Sequence, residues 1–368
     1  MVNFVPESAP EHAPMWALSE LPVHEWTPQT NLMEVTSDPR AYERYWFTAQ
    51  DRTGDLLVVA GFAVYPNLGT AEAFSIVNLR GQHRTVRAHR RMTANRFDMR
   101  VGPINFELVA PFKEWRLTLD ENEYGIAYDL HWFDTKRSVA QPQFLKGYEA
   151  FGRIAGTVQV GGETFTLTEA EYLGSRDHHW GVRDGVGGPG HVVRPMDRAT
   201  STATSGQWVE FGDWSVWLHR VLYNLGDPRP GTGRIVKMER ELAFDPETLL
   251  FTHGVVRNTL EGGEVKELRY RRLGHQIGFL RCGMYGGREG GTPNGDIWHG
   301  MYVGDDVVSG ETYDVTDPQV QILLRGGTNH ICEVTCGGET TVGIFETHDP
   351  ITYEMCRDGE PGHRLLEG

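Results

Sequence analysis

The sequence predicts an all-β protein made of two β modules. Aromatic residues make up 11% of its 368 residues, and 44 residues are glycine. Aromatic side chains favour strands, whereas glycine favours the tight turns between them. Short apolar runs recur between turn residues, and no long amphipathic helix interrupts them. We therefore expect antiparallel meanders, sandwiches or barrels.

The first module is predicted from strand-like runs that begin at Tyr42. Each run is rich in aromatic and aliphatic residues, and turn residues such as Asp51–Asp55 and Gly161–Gly162 separate them. The predicted strands are Tyr42–Ala49, Leu56–Tyr65, Ala71–Leu79, Asn105–Val109, Glu114–Leu119, Gly125–Phe133, Ile154–Val160 and Glu163–Thr168.

The second module follows a glycine-rich connection, and its strand series begins at Trp208. The predicted strands are Trp214–Tyr223, Gly233–Met238, Leu250–Arg257, Lys266–Leu273, Asp296–Val303, Val320–Leu324, Ile331–Thr335 and Thr340–Thr347. Strand alternation alone is enough to close a barrel, so each module is expected to form one. The chain then divides into a proline-rich N-terminal arm (1–36), a first β-barrel domain (37–190) and a second β-barrel domain (191–368).

Charge and composition exclude several classes of partner. The formal net charge of −15 argues against nucleic acid and anionic membrane surfaces, because both bind basic patches. No stretch approaches the roughly 18 apolar residues of a membrane-spanning helix, and the first residues do not form a signal peptide. Four cysteines in so long a chain do not form a disulfide framework, so we expect a reduced, cytoplasmic protein. Edge strands would allow a homodimer.

Residues 174–184, GSRDHHWGVRD, are the most unusual stretch, and we call them the 174–184 motif. They combine two arginines, two aspartates, two histidines and a tryptophan. Strand alternation divides the side chains between two faces, with Arg176, His178 and Trp180 on one and Asp177, His179 and Arg183 on the other. Burying such groups unpaired costs several kcal/mol, so they must pair or take part in chemistry.

Three interpretations of the motif stay open. In the first, Arg176, Asp177, Arg183 and Asp184 form a structural network of ion pairs that ties the two modules together, with Trp180 packed over it. In the second, Asp177 or His178 donates a proton beside the cation-stabilising indole of Trp180. In the third, one of the two histidines binds a metal ion; adjacent histidines point to opposite faces of a strand, so they cannot both bind one ion without a bulge.

The spaced pattern Arg-Asp-His-x-Trp-Gly-x-Arg over 176–183, in an all-β chain of this length, resembles the lipocalin-like double-barrel superfamily. This superfamily includes carotenoid 1,2-hydratases (hydroxyneurosporene synthases), AttH-like proteins, kievitone hydratases and Diels–Alderase-type cyclases. The resemblance covers roughly residues 40–360 and implies two lipocalin-like antiparallel barrels packed side by side, with a ligand pocket at their junction and no organic cofactor or metal. The hydratases' His-x-Trp element matches 178–180. Their second element, Tyr-x-Asp, is absent, and Glu210 and Asp213 stand in the corresponding region.

The residues and the resemblance together predict a cofactor-independent hydratase, dehydratase, isomerase or cyclase. Its substrate would be an apolar small molecule of terpenoid, steroid-like or aromatic type. Asp177 would donate the proton, His178 would place the water or take back the proton, and Trp180 would shield the cation. The predicted substrate-binding residues are Tyr128, Trp132, Trp214, Trp217, His219 and Trp298. The alternatives are a non-catalytic carrier of a hydrophobic ligand and a metal-dependent enzyme that uses His178 or His179.

Overall fold

The computed structural model describes residues 37–93, 95, 98–137, 145–183, 185–188, 205–218, 220–223, 233–283 and 297–366. Strands make up 64% of the structure and helices are few, which confirms the predicted all-β class. Within them, the helices are α1 (Pro318–Leu324) and α2 (Ile351–Asp358), with one 3₁₀ turn at Leu280–Cys282. No helix of the described residues is long and apolar enough to cross a membrane. The predicted arm, Asp184 and His219 lie outside the described residues.

The strands form two curled sheets. In chain order they are β1 (Ala41–Asp51), β2 (Leu56–Tyr65), β3 (Thr70–Leu79), β4 (Gln82–Arg91), β5 (Arg100–Val101), β6 (Ile104–Ala110), β7 (Glu114–Leu119), β8 (Ile126–Arg137), β9 (Leu145–Val160), β10 (Glu163–Leu167), β11 (Tyr172–Val182), β12 (Ser205–Glu210), β13 (Trp214–Trp217), β14 (Arg220–Tyr223), β15 (Ile235–Phe244), β16 (Phe251–Leu260), β17 (Val265–Phe279), β18 (Val307–Asp314), β19 (Gly327–Cys336), β20 (Glu339–His348) and β21 (His363–Leu365).

The first sheet has the order β18-β4-β3-β2-β1-β11-β9-β8-β7-β6-β5, and β10 pairs with β9. The second has the order β14-β13-β12-β20-β19-β17-β16-β15-β21. All pairs are antiparallel except β15 with β21. Both sheets curl as half-barrels, in agreement with the predicted pair of lipocalin-like barrels. Strand β18 follows residue 190 in the chain and yet joins the first sheet; the division at residue 190 stays a prediction.

Two predicted strands of the second module are wrong. Val320–Leu324 lies in helix α1, because the Asp317 side chain caps the helix by accepting a hydrogen bond from the Gln319 N–H and Pro318 occupies its first turn. The described residues of the predicted strand at 296–303 form a turn and irregular backbone. In both segments local capping and turn chemistry outweigh the apolar composition from which a strand was predicted.

The central strands of the first sheet are buried on both faces. One face lines the interior of the first half-barrel, where Phe47 packs edge-on against Trp132 at 5.5 Å between ring centroids. The other face packs on the second sheet and forms what we call the intersheet layer, the buried cluster that contains Trp46 and Phe151 of the first sheet and Trp208 of the second. This double burial explains why β2 is a continuous apolar run, LLVVAGFAVY, and why β1 and β3 are also buried at every position.

A buried ion cluster also joins the two sheets. The Glu210 carboxylate of β12 accepts hydrogen bonds from Lys136 Nζ at 2.8 Å and Thr135 Oγ1 at 2.7 Å, and it pairs with Arg153. Burial alone would raise the pKa of Glu210, but Arg153 and Lys136 hold it below its ordinary value. Glu210 therefore serves to hold the sheets together, whereas Asp213 is exposed.

His83 of β4 is predicted to make the fold sensitive to acid. Its Nε2 accepts a hydrogen bond from the Phe279 N–H at 3.3 Å, and burial lowers its pKa from 6.5 to about 3. Below pH 6.5 His83 becomes protonated in the unfolded chain but stays neutral in the folded protein. This histidine should therefore cost about 2 kcal/mol of unfolding free energy between pH 6.5 and pH 5. Urea denaturation at both pH values should show that His83→Gln loses less stability on acidification than the wild type; equal losses would contradict the assignment.

Candidate functional site

Strand β11 carries the 174–184 motif and lies between β1 and β9 in the first sheet. Asp177 is opposite Trp46 on β1 and Glu149 on β9, and His179 is opposite Arg44 on β1. The side chains alternate as predicted from the sequence. His178 and Trp180 point into the first half-barrel, whereas Asp177 and His179 point into the intersheet layer. The two faces of the motif therefore lie in two different buried regions, the interior of the first half-barrel and the intersheet layer.

Inside the half-barrel, Arg176 is held by Asp134 of β8. The guanidinium Nε donates to Asp134 Oδ1 at 2.9 Å, and Nη2 donates to Oδ2 at 2.6 Å. Both side chains are 0% exposed. The indole N–H of Trp132 donates to the same Oδ1 at 2.7 Å. Arg176 therefore belongs to a buried bidentate ion pair within one sheet.

His178 lies in the same compartment and is fully buried. Its Nε2 is 2.8 Å from Glu43 Oε1 of β1. The imidazole stacks on Tyr45 at 3.9 Å between centroids, and Trp180 follows at 4.8 Å. His178 and Trp180 therefore lie together as predicted, but Asp177 lies on the other face of the strand.

The intersheet face of the motif forms a cluster that we call the Glu149 cluster, made of Arg44, Glu149, Asp177, His179 and Trp208. Glu149 Oε1 is 3.1 Å from His179 Nε2, and Glu149 Oε2 accepts a hydrogen bond from the Trp208 indole at 2.9 Å. On the other side of the imidazole, Nδ1 is 3.6 Å from Asp177 Oδ2 and 3.5 Å from Arg44 Nη2. Arg44 and Asp177 form a buried ion pair. One imidazole thus lies between two carboxyl groups.

Glu149 is the group in this cluster that is suited to donate a proton. It is fully buried, and burial raises its pKa, although the contacts with His179 and Trp208 oppose this shift. A carboxyl group whose pKa is raised by burial holds its proton to higher pH than an exposed one, as a general acid requires. The His179 side chain retains 14% exposure while Glu149 has none, so the imidazole lies on the solvent side of the carboxyl group.

Gly147 of β9 makes room for this imidazole. It lies directly opposite His179, and a Cβ atom there would come within 2.1 Å of His179 Cδ2 and 2.3 Å of the His178 carbonyl oxygen. Any larger residue would displace the imidazole or separate the strands. The glycine at this position therefore determines where the imidazole lies.

Two further tryptophans, Trp46 and Trp217, lie next to Trp208 of the Glu149 cluster. The Trp46 and Trp208 rings are 5.7 Å apart, and Trp217 is the cross-strand neighbour of Trp208. The indole N–H groups of Trp46 and Trp217 are buried and have no hydrogen-bond partner among the described residues. An aromatic wall with spare donors suits a mainly apolar ligand that carries few polar groups.

The other predicted binding residues are dispersed. Tyr128 and Trp132 belong to the core of the first half-barrel, where Trp132 lines a cavity of about 10 Å³, room for one water at most. Trp214 lies on the far face of the second sheet, stacked on Phe211 at 4.3 Å. Trp298 lies beside Gly185. Arg183 follows β11 and lies near Arg44. Of the predicted substrate-binding residues that the structure describes, only Trp217 belongs to the intersheet layer.

Glu149 and Arg44 were missed by sequence reasoning. Glu149 lies in a stretch of β9 that is not among the predicted strands, and neither residue belongs to a recognisable motif. The sequence does give one sign of Glu149: it is a glutamate within an aromatic run, Tyr148-Glu149-Ala150-Phe151, which makes it a candidate buried carboxylate. Its contact with His179 could not be predicted without knowing that β9 pairs with β11.

Residues 16–224 match the model of a family described as a family of unknown function, DUF8625. The match spans more than half of the chain. The chain belongs to this family. The DUF8625 match contains β1 to β14, and therefore the 174–184 motif and every residue of the Glu149 cluster.

Two solved structures are similar to this chain along most of its length. One is a protein assigned as AttH from Nitrosomonas europaea, with 11% identity and a TM-score of 0.47, covering 94% of this chain and 98% of that one. The other is kievitone hydratase from Nectria haematococca, with 9% identity and a TM-score of 0.43, covering 83% and 89%. No curated protein matches the chain in sequence.

Proposed function

We propose that the protein is a cofactor-independent acid–base enzyme, a hydratase, dehydratase, isomerase or cyclase, whose proton donor is Glu149. The observation that carries this proposal is the fully buried Glu149 carboxyl group, with its raised pKa, at hydrogen-bond distance from His179. A proton donor in a site of this kind contributes about 10²–10⁴ in rate.

The surroundings of Glu149 support carbocation chemistry. Protonation of a C=C bond, or of a departing hydroxyl group, leaves a cation, and the faces of Trp46 and Trp208 stabilise positive charge. His179 would return the proton to Glu149. Asp177, ion-paired with Arg44, would hold the imidazole in place. The aromatic wall favours an apolar substrate of terpenoid, steroid-like or aromatic type.

This proposal changes the roles assigned from the sequence. Asp177 becomes a positioning residue, because a carboxylate engaged in a buried ion pair is a poor proton donor. His178 and Trp180 face the opposite compartment, so one small substrate could not contact them and Asp177 together. The pair formed by His178 and Glu43 then supports the first half-barrel.

A matched pair of variants tests this proposal. Glu149 and Glu43 are both buried glutamates that contact neighbouring histidines of β11, from opposite faces. The wild type, Glu149→Gln and Glu43→Gln would be incubated with an apolar metabolite extract in ¹⁸O-water and analysed by untargeted mass spectrometry. We expect an ¹⁸O-labelled product from the wild type and Glu43→Gln, and none from Glu149→Gln.

Each other outcome has a defined meaning. An unlabelled isomer that depends on Glu149 would indicate isomerase or cyclase chemistry. A lipid that binds equally to all three proteins and stays unchanged would replace the enzyme proposal with a carrier. A product formed at the wild-type rate by folded Glu149→Gln would refute the role of Glu149.

A metal-dependent enzyme is the second candidate. Glu149, Asp177 and His179 each offer one donor atom, and these atoms lie within 4.8 Å of one another. Against this, the two carboxyl groups face opposite nitrogens of the imidazole, and Arg44 already neutralises Asp177. Titration with Co²⁺ would decide: an absorption band lost in His179→Ala and kept in His178→Ala would favour a metal site.

We also propose that the protein works in a reducing compartment, the cytoplasm. All four cysteines are free thiols, and Cys282, Cys332 and Cys356 are buried. Burial raises the pKa of Cys356 to about 11, which keeps this thiol unreactive.

A further inference from the structure

Arg240 of β15 is a buried arginine that has no acidic partner. It points into the second half-barrel, because strand alternation places it on the same face as Leu242, and Leu242 belongs to the core of that half-barrel. The residue is only 8% exposed. Among the residues that the structure describes, no carboxylate pairs with its guanidinium group, and its Nε is buried without a hydrogen-bond partner. The fold therefore leaves this positive charge uncompensated.

Arg240 differs in this respect from the other arginines that are buried in the described part of the chain. Each of those forms an ion pair with a carboxylate: Arg44 with Asp177, Arg87 with Glu311, Arg90 with Asp98 and Arg176 with Asp134. Burial lowers the pKa of Arg240 to about 10, and the Cys356 thiol opposes this shift. The guanidinium thus keeps its charge at neutral pH, in surroundings where an unpaired charge is costly. An anion from outside the chain would supply the missing partner.

The C-terminal segment lies beside this guanidinium. β21 pairs with β15, so His363 is opposite Arg240, and the Arg240 N–H donates to the Gly362 carbonyl oxygen at 2.9 Å. Gly362 is also close to the side chain, since a Cβ atom there would be 4.0 Å from Nη1. Helix α2 packs on β15 through an edge-on contact of Tyr353 with Phe244, at 5.5 Å between ring centroids. Arg240 therefore lies where β15, β21 and α2 meet, close to the edge of the second sheet.

The surroundings of the guanidinium indicate the class of anion. Burial and Arg240 both lower the pKa of His363, so this imidazole is mostly neutral at pH 7 and adds no second charge. Val256, which is fully buried, is opposite Arg240 on β16. Leu365, which shares the face of His363 on β21, is apolar and yet 38% exposed. One positive charge beside apolar side chains matches a singly charged carboxylate on a mainly apolar molecule.

We infer that Arg240 binds the carboxylate group of a mainly apolar small molecule at the junction of β15, β21 and α2. The planar guanidinium offers two parallel N–H groups to the two carboxylate oxygens, a pairing that is both strong and directional. The apolar part of the molecule would pack against the exposed side chain of Leu365. This site is separate from the Glu149 cluster, because Glu149 faces the intersheet layer and Arg240 lies on the opposite face of the second sheet. The inference is therefore independent of the proposed catalytic role.

Arg272 of β17 is the matched control. Burial lowers its pKa as well, although the Cys332 thiol and the carboxylates of Asp245 and Asp349 oppose the shift. Its Nη1 donates to the Phe251 carbonyl oxygen at 2.9 Å. Arg272 therefore has partners within the fold, and replacing it should not affect the binding of an added carboxylate.

The first measurement needs no ligand. Arg240→Met removes the charge and keeps an apolar stem, and Arg272→Met does the same at the control position. In urea denaturation at pH 7, with chloride as the only added anion, Arg240→Met should be at least as stable as the wild type, because it removes a charge that has no partner. Arg272→Met should unfold at a lower urea concentration. A loss for Arg240→Met as large as that for Arg272→Met would overturn the inference, since Arg240 would then be compensated within the chain.

The second measurement follows thermal unfolding in the presence of decanoate, decanol or inorganic phosphate. A ligand that binds only the folded protein raises Tm as its concentration increases. We expect decanoate to raise the Tm of the wild type and of Arg272→Met by several degrees and that of Arg240→Met not at all, and decanol to have no effect. An equal rise with decanol, an equal rise in Arg240→Met, or a larger rise with phosphate would overturn the inference. The absence of any rise with decanoate in the wild type would overturn it too, and each of these results leaves the role of Glu149 untouched.

Discussion

Replacing Asp134 by alanine is expected to destabilise the fold by about 3–5 kcal/mol. Arg176 would keep its charge in the interior of the first half-barrel after losing the bidentate carboxylate of Asp134, and both side chains are 0% exposed in the intact pair. The Trp132 indole would also lose its acceptor. Urea denaturation at neutral pH, followed by tryptophan fluorescence, measures the loss directly.

The control for Asp134 lies on the same strand. Asp129 of β8 also forms a bidentate pair, with Arg116 at 2.8 and 2.7 Å, but the two side chains are 46% and 42% exposed. Asp129→Ala should cost less than about 1 kcal/mol, because exposed pairs are weak. Similar losses in the two variants would show that Arg176 finds another partner or water.

A double variant separates the cost of an unpaired charge from the value of the pair. Arg176→Met with Asp134→Leu removes both charges and fills the same space with apolar groups. We expect it to be much closer to wild-type stability than Asp134→Ala, because a buried ion pair is often no better than apolar packing. A double variant as unstable as the single one would mean that the Asp134–Trp132 hydrogen bond carries the effect.

Local patterns in the sequence were enough to predict most of the strands and the two faces of the 174–184 motif. Alternation is a property of a strand by itself, so Asp177 and His178 could be assigned to opposite faces. What each face contacts depends on strand pairing, which is not a local property. Glu149 of β9 and Arg44 of β1 come from positions far apart in the sequence, and no local rule relates them to His179.

The same limit explains the dispersed aromatic residues. Trp132, Trp214 and Trp217 were grouped as one wall because all three lie in strands rich in aromatics. Sheet curvature places Trp132 inside the first half-barrel and Trp214 on the far face of the second sheet, while Trp217 lines the intersheet layer. An alternating pattern shows that a residue is buried, but it does not show which of several cores buries it.

Glu149→Gln is expected to gain stability relative to the wild type as the pH rises. Burial raises the pKa of Glu149 above the ordinary 4.5, so the folded protein holds this proton more tightly than the unfolded chain. That contribution to stability is complete below about pH 4.5 and is lost as the pH rises through the folded-state pKa. The glutamine side chain has no proton to lose. The difference in unfolding free energy between the variant and the wild type should therefore grow from about pH 4.5 to the folded-state pKa of Glu149 and then stay constant.

Glu346 of β20 should show the opposite trend, which makes Glu346→Gln the control. Burial alone would raise the pKa of Glu346, but its contacts with His348 and Asn329 hold it below 4.5. Its charge therefore stabilises the fold at neutral pH, and Glu346→Gln should be less stable there and approach the wild type on acidification below pH 4.5. Parallel pH profiles for the two variants would contradict the raised pKa of Glu149. Opposite profiles, together with a loss of about 10²–10⁴ in turnover for Glu149→Gln alone, would link the buried proton to catalysis.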